Sequence, residues 1–265
     1  MENKVINDKN TILAYLQQQS EMEPDEHDGS YELMRKVINA YSHLEDLREL
    51  NYLDLNLIYH MCIGTWEQGV KSKACSNDKS HLLDEDKEIC KLTLKKIWNN
   101  ANELKYVNAR KKRGPSIGMF GTGFFSFKRN VTDQMVQDFI SMLIDIQNEQ
   151  NEEQIFKRCE QVLTGEFKGM KAASASEILH CYKPFVFPVL NANTGKGGMI
   201  DDGTRWGNIY DALGIKLSKR KELKTYIENC REIKSFRDSY LPFKNYRIID
   251  IAERTLITNP GKCSN

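Results

Sequence analysis

Nowhere in its 265 residues does the chain hold an apolar run near the roughly 20 residues that a membrane-spanning helix needs. Its first residues, MENKVINDKN, lack the basic start and apolar middle of a secretory signal. Both absences point to a cytoplasmic protein with no membrane attachment. Neither sign of charge is in excess, since 38 Lys and Arg face 37 Asp and Glu. Affinity for a polyanion is therefore not announced by net charge and depends on where the charges sit. The seven cysteines are scattered, odd in number and never in a C-x-x-C pair. Zinc sites want short paired spacings and iron–sulfur clusters a tight four-cysteine run, so the cysteines read as reduced thiols. No cofactor is expected. Gly195-Lys196-Gly197 lacks the earlier glycine and the Ser/Thr of a P-loop, and no G-x-G-x-x-G follows a strand, which argues against an NTPase.

Strand-period alternation is scarce, and most of the sequence has the spacing of helices. Residues 31–62 place Leu33, Val37, Ile38, Tyr41, Leu44, Leu47, Leu50, Leu53, Leu57 and Ile58 near a 3.6-residue period. The acidic stretch Glu21 to Asp28, with Pro24, and the polar stretch Lys71 to Ser80 read as solvated connections on either side. A helical pattern follows over Leu82 to Leu104. Residues 131–148 give the clearest amphipathic helix, capped by Thr132 or Asp133, with Val136, Phe139, Ile140, Leu143 and Ile146 as its inward stripe. Further helices are expected at 152–163, 171–182, 206–213, 219–231 and 245–257. Phe185 to Leu190 has strand composition, but Pro184 and Pro188 favour an extended loop. The fold class is mainly α.

One segment is strongly basic. Residues 104–132 hold Lys105, Arg110, Lys111, Lys112, Arg113, Lys128 and Arg129 and no acid, with Gly114, Gly118, Gly121 and Gly123 interleaved among Phe120, Phe124, Phe125 and Phe127. Cations neutralise phosphates, glycine admits a close backbone, and exposed rings stack on bases. The plain alternative is a solvated basic turn followed by a phenylalanine-rich core segment. A second basic group, Lys216, Lys219, Arg220, Lys221 and Lys224, reads equally well as more phosphate contacts or as the solvated face of a helix start.

The most informative stretch is LTGEFKGMKAASASEILHCYKPFVFPVLNANT, residues 163–194. A helix ends near Leu163, a turn runs through Gly165 and Gly169, and a new helix starts on the small residues Ala172 to Ala175. Small residues let helices approach closely, and the free N–H groups at a helix start can hold phosphate. This stretch resembles the helix-hairpin-helix of the base-excision DNA glycosylase superfamily, L-P-G-V-G-x-x-T-A followed by F-P-hydrophobic-hydrophobic-D-x-N. Phe167 to Lys171 stands at the hairpin, Ser174-Ala175 at Thr-Ala, and Phe187-Pro188-Val189-Leu190 before the catalytic position. The resemblance implies a glycosylase-like helical domain within 104–265, preceded by an additional helical region over 1–103. It also implies that Gly169, Met170 and Lys171 hold DNA phosphate, joined by Lys111, Lys112, Arg113, Lys128 and Arg129.

The departures from that pattern bear on chemistry. The catalytic Asp position holds Asn191, whose neutral amide supplies no charge to a developing sugar cation. Ala173 stands where bifunctional members carry a nucleophilic lysine, and Lys171 replaces the second hairpin glycine. The resemblance thus implies a fold that binds DNA and inspects a base without excising it. The sequence is also similar to the reader domains of McrB-type, modification-dependent restriction proteins, including a closing phrase like Lys244 to Asp250. In that family an AAA+ GTPase motor follows the reader and recruits a nuclease subunit.

The expectation is therefore a double-stranded DNA reader of a modified base, using base flipping. Asn191, Asn193, Tyr182 and Trp206 are the candidate pocket residues, against the alternatives of loop capping for the asparagines and core packing for the aromatics. Asp201 and Asp202, in a glycine-flanked loop, are the only substitutes offered for the missing acid, and a solvated turn is their plainer reading. Two other functions stay open: an active glycosylase using one of those aspartates, and a protein-interaction domain whose basic loop is merely solvated. His180 is expected to be half-buried. The other four histidines have no partner at ligand spacing, so no metal site is expected.

Overall fold

A computed structural model describes residues 8–21, 28–63, 79–101, 131–163, 172–190, 209–218, 223–240, 245–252 and 256. Ten helices account for the regular structure of these residues, and no strand occurs among them, so the protein is mainly α. The helices are α1 (Lys9–Glu21), α2 (Asp28–Tyr41), α3 (Tyr52–Ile63), α4 (Asp84–Ala101), α5 (Asp133–Asp145), α6 (Glu152–Leu163), α7 (Ala172–Tyr182), α8 (Ile209–Leu213), α9 (Leu223–Tyr240) and α10 (Arg247–Ala252). They form two compact units. One comprises Pro24–Met170; the other joins Met1–Glu23 to Lys171–Asn265. The expected division at 103/104 lies outside the described residues.

In the Pro24–Met170 unit, α2 is the central element. On α3, residues Asp54 to Ile58 are all buried, the pattern of a helix enclosed on every side rather than amphipathic. Helix α2 packs on α3, α4 and α5, and α5 packs on α3 and α6. The apolar spacing over 31–62 covers two helices, because the chain turns at 42–51. Local polar groups make the turn: Asn51 Oδ1 accepts from Leu53 N–H at 2.9 Å, and Asp54 Oδ2 accepts from Asn51 N–H at 3.1 Å. Together the two side chains cap the start of α3. Gln137 on α5 holds the turn by donating to the carbonyls of Arg48 and Leu50.

Helix α5 begins as its sequence requires. Thr132 is extended (φ −101°, ψ 158°) and its side chain accepts from Met135 N–H at 3.3 Å. Val136, Phe139, Ile140 and Leu143 lie buried on its inner face, with Ile146 just past its end. Asn151 caps α6 by accepting from Glu153 and Gln154 N–H.

In the other unit, α1 packs on α8 and α10, and α7 packs on α9. Helix α9 continues to Tyr240, beyond the expected end at residue 231, because Ile233 and Phe236 extend the buried stripe of Tyr226, Ile227 and Cys230. Helix α8 stops at Gly214, which adopts φ +82°. Gly214 N–H donates to Asp211 O and Ile215 N–H to Tyr210 O, a Schellman ending that glycine adopts without a Cβ penalty. Asn229, buried on α9, donates to and accepts from the backbone of Ser218 and so fixes the approach to α9. The stretch after α7 is a turn at 184–186 followed by a segment without regular structure to Leu190.

Candidate functional site

The segment that leads toward position 191 is anchored from several sides. Four of its carbonyls accept hydrogen bonds. Pro184 O accepts from Tyr246 N–H at 2.9 Å and Phe185 O from Arg237 Nη1 at 2.8 Å. Phe187 O accepts from His180 Nδ1 at 2.7 Å and Pro188 O from the Tyr226 hydroxyl at 3.0 Å. A carbonyl only accepts, so His180 carries its proton on Nδ1. The donors come from α7, α9 and the start of α10. Phe187 stacks at 6.5 Å on Tyr226, and Phe187, Val189 and Leu190 are buried. His180 is wholly buried rather than half-buried, because its ring fills the interior to reach Phe187 O.

Helix α7 supplies two further groups to this interior. Glu177 is buried, and burial pushes its carboxyl up to about 8, so at neutral pH it holds a proton. Tyr182, one of the expected pocket residues, is 3 % exposed, and burial raises its phenol well above the ordinary value. Ala172 and Ala175 are buried at the helix start.

The other expected site residues lie outside the described residues. These are Gly169, Met170 and Lys171 of the hairpin turn, Lys111, Lys112, Arg113, Lys128 and Arg129 of the basic loop, and Asn191, Asn193, Asp201, Asp202 and Trp206. The flanking helices are described: α6 ends at Leu163 and α7 begins at Ala172, and the two compact units divide between Met170 and Lys171. Of the second basic group, Lys216 and Lys224 are exposed.

The Pro24–Met170 unit contains a polar cluster that no local motif announces. Asp54 is wholly buried on α3. Its Oδ1 accepts from the Tyr41 hydroxyl and from His81 N–H, each at 2.8 Å, and its Oδ2 lies 2.7 Å from His81 Nδ1. Asn51 N–H completes the set. Four donors on one buried carboxylate satisfy the demand that a charge removed from water be surrounded by hydrogen bonds. Nearby, His43 Nδ1 lies 2.9 Å from Asp86 Oδ2 at the start of α4. Both histidines thus find carboxylate partners far along the chain, although neither had one at ligand spacing.

This arrangement braces helices rather than activating a nucleophile. Burial, and next the charge of Asp86, push the Cys90 thiol up to about 12, so no thiolate forms near neutral pH. Burial and the Asp54 charge raise the Tyr41 phenol in the same way. Among the described residues no group of three or more His, Cys, Asp or Glu could hold a metal ion. Cys90, Cys159, Cys181 and Cys230 are buried thiols that form no disulfide.

No family model, curated protein or solved structure matches the chain. Its class rests on the helices themselves: a mainly α protein in which no described helix is long and apolar enough to cross a membrane.

Proposed function

We propose that the chain is a cytoplasmic DNA-binding specificity module that recognises a modified base in double-stranded DNA without excising it. The observation that carries this reading is the anchoring of residues 184–188. A base-inspecting site needs rigid support for the residues that meet the extruded base, and four donors, three of them distant in sequence, hold the segment that the sequence resemblance sets just before that site. Asn191 then contacts the base or the backbone, with Asn193 and Trp206 beside it, and the hairpin residues Gly169, Met170 and Lys171 hold phosphate.

Absence of excision follows from charge. Asn191 is neutral, and Glu177, the acid that α7 carries into the interior, is also neutral at physiological pH. Neither supplies the negative charge that a glycosyl cation requires. The resemblance to McrB-type readers extends the proposal to a restriction or defence system in which a separate AAA+ GTPase motor and nuclease subunit act on the DNA that this chain marks.

The test is binding to matched duplexes, unmodified, cytosine-modified and adenine-methylated, at two salt concentrations. A preference of about tenfold or more for one modified duplex, with no abasic product, is the expected result. Release of a base would replace this reading with an active glycosylase using Asp201 or Asp202. Salt-sensitive binding without preference would leave a generic DNA-binding domain. No binding to any duplex would favour a protein-interaction domain.

A further inference from the structure

Helix α4 buries one face and leaves the other open. Asp86, Cys90, Thr93 and Leu94 face inward. The opposite face presents Glu85, Glu88, Ile89, Leu92, Lys95 and Lys96, all exposed. Ile89 is 48 % and Leu92 63 % exposed, so two large aliphatic side chains stand in water side by side on one rigid helix. Along the axis the order is acid, apolar, base.

That order is self-complementary when reversed. At a rise of about 1.5 Å per residue, Glu85 and Lys96 lie equally far, roughly 8 Å, from the helix midpoint between Cys90 and Lys91, and Ile89 and Leu92 lie roughly 2 Å from it. Turning a second helix end for end about that point sets Glu85 opposite Lys96 and Ile89 opposite Leu92, each contact occurring twice. Glu88 and Lys95 then come within reach of each other across the contact. A parallel alignment would instead set like charges together.

We propose that the exposed face of α4 docks a second copy of this chain in antiparallel, two-fold fashion. Such an interface is isologous, each residue type meeting its complement on the other copy. One helix face offers much less than the roughly 800 Å² per partner of a standard interface, so the dimer is weak and forms at high protein concentration. Burial of Ile89 and Leu92 drives the association, and the terminal charges set its direction. The proposal is independent of DNA binding.

Sedimentation velocity of the full chain, from about 1 μM to about 500 μM, reads the association directly. The expected result is a concentration-dependent monomer–dimer equilibrium that Leu92→Glu abolishes. Glu85→Lys and Lys96→Glu each weaken it by about tenfold or more, because each places like charges across the two-fold. The double variant restores it to within about threefold of the parent, since the reversed pair again has opposite signs. All three positions are exposed, and circular dichroism checks that each variant is folded. A chain that stays monomeric throughout the range would overturn the proposal. So would a dimer indifferent to Leu92→Glu, or a double variant no tighter than its singles.

Discussion

The imidazole of His81 lies 2.7 Å from the carboxylate of Asp54, 27 residues earlier, with the carboxylate wholly buried and the ring one-third exposed. The pair links the segment leading into α4 to the first turn of α3, and the Tyr41 hydroxyl adds α2 to the same carboxylate. Three helices of one unit therefore meet at one charge.

Replacing that charge tests its weight. In Asp54→Asn one oxygen becomes an NH₂ group, and it must face donors on whichever side it occupies: Tyr41 O–H with His81 N–H, or Asn51 N–H with the His81 ring. The expected cost is about 3 kcal/mol or more, because a buried donor then meets a donor. His81→Ala removes one partner and spares the others, for roughly 1–2 kcal/mol. Urea unfolding followed by circular dichroism measures both. A cost for Asp54→Asn below about 1 kcal/mol would show that the cluster does not hold these helices together.

Glu177 gives a pH dependence with a defined sign. Its carboxyl is raised by burial from an ordinary 4.5 to about 8. Between those values the folded chain keeps a proton that the unfolded chain has released, so stability falls as pH rises through the window, by up to about 1.4 kcal/mol per pH unit for one whole proton. Below the window both states are protonated, and above it both are ionised. Glu177→Gln keeps the shape and removes the titration. The stability of the variant relative to the parent is expected to increase from pH 5 to pH 8 and then level off. Parallel curves for the two proteins would contradict the burial of an ionisable acid at this position.

What the sequence made legible was local. Thr132 starts α5 because cap and stripe lie within a few residues of each other, and the F-P segment at 187–188 stood out by its own composition. The break between α2 and α3 was hidden because Leu44, Leu47 and Leu50 carry the apolar spacing through the turn, and Leu50 is itself buried. The readable sign there was Asn51 with Asp54, a capping pair in the wrong company. The donors that pin 184–188 were not legible, since Tyr226 and Arg237 reach carbonyls 38 and 52 residues away. The partners of His43 and His81 were hidden for the same reason. Glu177 looked like any helical acid, and only tertiary burial changes its chemistry. Helix α1 gives little signal in the sequence because its stripe, Ile12 and Leu16, is short and set among polar residues.

Gly214 is a backbone requirement rather than a packing one. Its φ of +82° disfavours any side chain, yet a Cβ built there meets nothing within 4 Å. Gly214→Ala is therefore expected to cost about 1–2 kcal/mol through the left-handed backbone alone, and Gly214→Asn less, because asparagine tolerates that region. Thermal or urea unfolding of the two variants separates the effects. Equal costs for Ala and Asn would point to a contact rather than to φ.

The anchored segment allows stability and recognition to be tested together. Tyr226→Phe keeps the ring beside Phe187 but removes the hydroxyl that donates to Pro188 O. A buried carbonyl then loses its donor, at an expected cost of about 1–2 kcal/mol. His180→Ala removes the donor to Phe187 O and leaves a cavity where a fully buried ring stood, for roughly 3 kcal/mol. If residues 184–188 support a base-reading site, loosening them degrades the preference for one duplex over another more than it degrades salt-dependent affinity. Phosphate contacts lie elsewhere and set affinity, whereas base contacts set specificity. The measurement is the ratio of dissociation constants for modified and unmodified duplexes, taken where Tyr226→Phe is fully folded. A variant that loses stability but keeps both affinity and preference would detach this segment from recognition and leave it a purely structural element of its unit.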